Sequence, residues 1–121
     1  MTNKREFKKF VDAVGGSVCQ EMMTAFHTVE GADRDAISKA IEQVLGAVGA
    51  AKSHANIFFD KGAKAFSSSK EYARAKEQFF RALFNKITDD FSQEINSALK
   101  TFNAALPESA KAENKAAVAA Q

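Results

Sequence analysis

The chain has 121 residues, 45% of them hydrophobic and 26% charged, which is the balance of one globular domain and excludes a disordered chain or two comfortable domains. Seventeen Lys and Arg stand against fifteen Asp and Glu, and acids interrupt the bases in every segment. Nucleic acid, which needs positive charge concentrated on a face, is therefore not an expected partner.

The start, "NKREFKK", is the only stretch with a local basic excess, and it lacks the apolar run of a secretory leader. Thr2 stands where N-myristoylation requires Gly. The first helical pattern covers about Asn3 to Val29. Phe7, Val11, Val14, Val18, Met22, Phe26 and Val29 recur at steps of three and four and share one face, which Phe10 widens. Gly15 and Gly16 interrupt this pattern at a cost of about 1 kcal/mol each relative to Ala. The apolar phase runs through them unbroken, so one continuous helix is expected, with two short helices as the alternative. Gly31 is placed to end the element.

Asp33 is an N-cap residue type and opens a second pattern, with Asp35 supplying negative charge to the first turn. Ile37, Ile41, Val44, Val48, Ala51, Ala55 and Phe58 hold one face, flanked by Ala40, Leu45 and Phe59. The small-residue middle, "GAVGAA", predicts close approach of a neighbouring helix, and Gly62 is the expected stop. A third pattern starts at the serines of 67–69, where Ser68 and Glu71 have the spacing of a capping box. It runs to Leu106 ahead of Pro107, the only proline, and would be on the order of 55 Å long. Within it, Phe79, Phe80, Leu83, Phe84, Ile87 and Phe91 span an arc of roughly 140°, wide enough to touch two neighbours. Ile95, Ala98, Phe102 and Leu106 continue the arc with the slow drift of a left-handed bundle.

The expected fold is all-α: an up-down bundle of three long amphipathic helices, or four if the first breaks at Gly15–Gly16, with the third longest. Residues 1–107 form the domain, and the Ala/Lys/Glu-rich tail at 108–121 is expected to be frayed or disordered.

Chemistry is sparse. Cys19, Met23 and His27 lie at i, i+4 and i+8, a soft donor row, but it winds off the apolar face, and His54, the only other His, lies off the apolar face of the second pattern. His27 and Glu30 reverse the Glu-x-x-His order of di-iron bundles and do so once. Cys19 is two turns from His27, too far for a nucleophile–base pair, and Asp89 and Asp90 diverge around their helix. No phosphate loop, dinucleotide fingerprint, calcium loop or paired-cysteine zinc motif occurs. No catalytic residue, cofactor or metal is therefore expected.

The expected function is non-catalytic protein–protein contact or self-assembly, as a homodimer or with another protein. The alternative is a lipid surface or apolar ligand held by the Phe-rich helices. Because the third helix is longest, one end of it should lack cover, leaving Phe102 and Leu106, or alternatively Tyr72 and Phe79, as an interface patch. Basic residues at Lys4, Lys8 and Arg81 flank the apolar arcs but are accompanied by acids, so a membrane surface is not the expected partner. No run approaches the roughly 18 apolar residues of a membrane span. Cys19 is the sole cysteine, which suits a reducing compartment, and the expected location is the cytoplasm.

Overall fold

Three helices follow one another in a computed structural model that describes residues 3–107: α1 (Lys4–Thr28), α2 (Arg34–His54) and α3 (Ser69–Ala104). A single 3-10 turn, Ala63–Ala65, lies between α2 and α3, and the described residues contain no strand. The tail expected over 108–121 lies outside the described residues.

Each helix starts where a side chain satisfies a free backbone donor. Asn3 accepts from the Glu6 N–H at 2.8 Å, Asp33 from the Ala36 N–H at 3.1 Å, and Ser68 from the Glu71 N–H at 3.1 Å. The return half of the capping box is replaced, because the Glu71 carboxylate accepts from the Ser67 hydroxyl instead. Helix α1 is continuous through Gly15 and Gly16. It ends at Thr28, and Gly31, with φ of 79°, turns the chain two residues after the Val29 cap.

Helix α2 is shorter than its pattern. It stops at His54 rather than Gly62, closing with tight bonds from the Asn56 N–H to Ser53 O (3.1 Å) and from the Ile57 N–H to His54 O (3.1 Å). Ser, His and Asn are mediocre helix formers, and the chain beyond Ala55 instead sets Phe59 against Phe79 and Tyr72 of α3. Phe58, expected on the buried face, is 73% exposed. Helix α3 ends two residues before Leu106, in turns closed by Ala105 and Leu106.

The chain runs up, down and up. Asp12 meets Lys52 at 3.0 Å, Gln43 meets Glu94 at 3.3 Å, and the Asp33 N–H donates to Ala105 O at 2.8 Å. Helix α2 is the central element and packs closely against both others. Its Val44 and Val48 side faces Gly15 of α1, and its Ala47 and Ala51 side faces Ile87 and Phe91 of α3. The close approach comes from Gly15: a Cβ there would lie 2.3 Å from Val48 Cγ2, whereas Cβ atoms on Gly46 and Gly49 would meet nothing within 4 Å. The small-residue middle "GAVGAA" does meet a close neighbour, α3, through its alanines Ala47 and Ala51, while its glycines Gly46 and Gly49 face outward.

Helices α1 and α3 lie further apart and are bridged by rings. Phe7 tilts against Phe84 at 5.4 Å between centroids, and Phe10 sets its edge on Phe91 at 6.4 Å. The core runs through Val11, Met22, Ile37, Val44, Ile87, Phe91 and Ile95, and contains no buried charged or polar residue among those described.

Candidate interaction surface

The register decides which end of α3 is covered. Because the α1–α2 turn closes over the C-terminal end of α3, Phe102 is 3% exposed and Leu106 6% exposed. Partly buried Phe26, Val29, Ala32 and Ala36 pack against the same core. Phe102 and Leu106 are therefore core residues, and the alternative of an uncovered patch there is corrected. The excess length of α3 lies at its other end. At 36 residues it is about 54 Å long, against about 32 Å for the 21 residues of α2, so its first turns overhang the bundle.

The overhang is partly covered by the chain's own connection. Phe59 and Phe66, from the segment between α2 and α3, fold back onto it. Phe59 packs against Phe79 at 5.3 Å, Tyr72 at 6.0 Å and Phe66 at 6.1 Å, and Phe66 meets Tyr72 at 5.7 Å. Rings continue through Phe79–Phe80 at 5.2 Å and Phe80–Phe84 at 6.4 Å to Phe7 of α1. Tyr72 and Phe79, the other expected interface residues, are half-buried members of this cluster, and Lys76 lies over the Tyr72 ring.

Outside the cluster stand Ile57, 44% exposed, and Phe58. They border an open groove of about 430 Å³ with Ser53, Asn56, Asp60 and Phe79. Neither residue was legible as a surface group from helical periodicity, which carried α2 through them. The signal available was the run "NIFFDKG", whose Asn, Asp and Gly bracket the aromatic pair as a loop does. Lys8 Nζ donates to Asn56 Oδ1 at 2.6 Å and ties this loop to the first turns of α1.

The fold also sorts charge that looked evenly spread along the chain. A plane at the level of the Asp12–Lys52 pair meets α3 near Lys86, by the register of the Gln43–Glu94 contact. On the overhang side, residues 3–12 and 52–86 hold twelve Lys and Arg against five Asp and Glu, a net +7. On the other side, residues 13–51 and 87–107 hold three against eight, a net −5. The carboxylates of the basic end are partly engaged: Asp12 with Lys52, Glu77 with Arg81 at 2.8 Å, and Glu71 with Ser67.

The soft donor row of α1 does not converge on a site. Cys19 is half-buried against the core, Met23 is exposed, and exposed His27 sets its ring edgewise on Phe26 at 5.0 Å. Among the described residues no three His, Cys, Asp or Glu side chains group to hold a metal ion. Burial pushes the Cys19 thiol above its ordinary pKa. No helix among the described residues is long and apolar enough to cross a membrane.

Comparison of the chain with family models, with curated proteins and with solved structures finds no match.

Proposed function

We propose that this three-helix bundle is a non-catalytic protein that acts through protein–protein contact, and that its first partner is a second copy of itself. The observation that carries this reading is the seam between α1 and α3. Phe10 is 50% exposed although its ring already touches Phe91, and Phe80, Leu83 and Phe84 are half-buried beside it. The wide arc of α3 therefore has one close helical neighbour, α2, while α1 lies further off and sets Phe7 on Phe84 and Phe10 on Phe91 across the gap. A helix from a second copy laid along this seam would complete the cover, and two-fold pairing is the commonest arrangement that does so. The sole cysteine keeps the cytoplasm as the proposed location.

Sedimentation equilibrium of the full chain tests the proposal. A dimer or larger assembly is expected at tens of micromolar, with dissociation strengthened about tenfold or more in a Phe10→Ser variant, since a ring desolvated at an interface contributes on the order of 1.5–3 kcal/mol. A wild-type monomer at that concentration overturns it.

A further inference from the structure

The basic charge and the most exposed aromatic residue occupy the same end of the molecule. We infer that this end docks onto anionic lipid surfaces, with Ile57 and Phe58 entering the headgroup boundary while surrounding lysines and arginines meet lipid phosphates.

Three observations place the parts together. The Lys8–Asn56 hydrogen bond fixes the loop that carries Ile57 and Phe58 beside the first turns of α1. Lys4, Arg5 and Lys9 are exposed there, and Lys61 and Lys64 follow Phe58 in the same loop, also exposed. None of these five forms an ion pair with a carboxylate among the described residues. The positive field is therefore available to an outside partner rather than spent within the fold.

The lipid reading follows from the pairing of the two features. Phosphate groups alone, as on duplex nucleic acid, would satisfy the cations but offer no apolar host for a protruding Ile57–Phe58 pair. An anionic bilayer supplies both: its surface potential attracts juxtaposed Lys and Arg within about 10 Å, and the acyl boundary accepts the apolar side chains. The opposite end, with its net −5, is repelled by the same surface, so the bundle would stand with the overhang facing the lipid. This surface is distinct from the α1–α3 seam, and the two are separable by mutation.

Vesicle co-sedimentation with the full chain tests the inference, using phosphatidylcholine vesicles with and without phosphatidylserine at low and high salt. Binding is expected only with phosphatidylserine and is expected to fall with salt. Phe58→Ser should weaken it about tenfold, the worth of one desolvated ring. Lys61→Glu with Lys64→Glu should weaken it at least about tenfold, from roughly fivefold per charge at the surface. All of these positions are exposed, and the helical circular dichroism signal of each variant is expected to match wild type. Phe10→Ser should leave vesicle binding in place. No co-sedimentation with anionic vesicles at low salt, equal binding to neutral vesicles, or wild-type binding by Phe58→Ser each overturns the inference. Tighter binding to duplex DNA than to anionic vesicles, unaffected by Phe58→Ser, overturns it in favour of a nucleic-acid partner.

Discussion

Gly15 and Gly16 are adjacent in one helix, and the structure predicts opposite responses to the same added methyl group. At Gly16 a Cβ meets nothing within 4 Å, so Gly16→Ala collects the full helix-propensity gain of about 1 kcal/mol. At Gly15 the new Cβ would lie 2.3 Å from Val48 Cγ2, with Val48 Cβ at 3.7 Å and Val44 Cγ1 at 4.0 Å behind it. Val48 is β-branched and held by its own helix in one preferred χ1 well, so it cannot swing aside freely. The helices must separate slightly or Val48 must adopt a poor rotamer, and overpacking of this kind costs about 1–3 kcal/mol. Against the same propensity gain, Gly15→Ala should come out between neutral and about 2 kcal/mol destabilising. For a domain of this size, 1 kcal/mol is worth about 4 °C in Tm, so the two variants should separate by roughly 4–12 °C.

The assay is thermal unfolding followed by circular dichroism, with all proteins at one concentration because self-association would shift Tm. A double-mutant cycle makes it specific. In a Val48→Ala background the obstructing methyl is gone, and Gly15→Ala should there become stabilising by about 1 kcal/mol, as Gly16→Ala is in the wild type. If Gly15→Ala raises Tm as much as Gly16→Ala in the wild-type background, the close α1–α2 contact is wrong. Failure of Val48→Ala to change the sign would refute the assignment of the clash to that side chain.

Phe102→Ala should cost about 3–5 kcal/mol, because its ring is nearly fully enclosed, whereas Phe58→Ser should stay within about 0.5 kcal/mol. Urea midpoints measure both, and a tolerated Phe102→Ala would restore the uncovered-end reading of α3. At pH near 8, Cys19 should be alkylated by iodoacetamide more slowly in the folded chain than in urea, since burial raises its pKa and lowers the thiolate fraction. Equal rates in the two conditions would contradict its half-buried position.

Much of this protein was legible along the chain because the forces involved are local. The 3.6-residue recurrence of apolar side chains specified three helices, and Asp33 and Ser68 marked two starts through bonds to donors three residues away. The unbroken apolar phase across Gly15–Gly16 carried one helix through both glycines. Where periodicity met a loop it misled: the apolar step continued into Phe58, but the helix closed at His54, leaving Phe58 exposed while Phe59 turned onto Phe79 and Tyr72.

What only the tertiary structure decided was register, which no local pattern encodes. Sliding α3 by a few turns would leave its helical pattern intact and yet carry the Phe102 end, rather than the Tyr72 end, past the edge of the bundle. The contact of the α1–α2 turn with Ala105 settles that choice and sends the overhang to the N-terminal side of α3. The charge separation has the same origin. Residues 52–86 hold eight Lys and Arg against three Asp and Glu, and residues 3–12 hold four against two, but nothing along the chain says that these two stretches meet. Antiparallel packing folds the basic start of α1, the end of α2 and the beginning of α3 to one end, and collects the remaining acids at the other. Electrostatic fields add over distance in space rather than along sequence, which is why a chain of net charge +2 presents two ends of opposite sign.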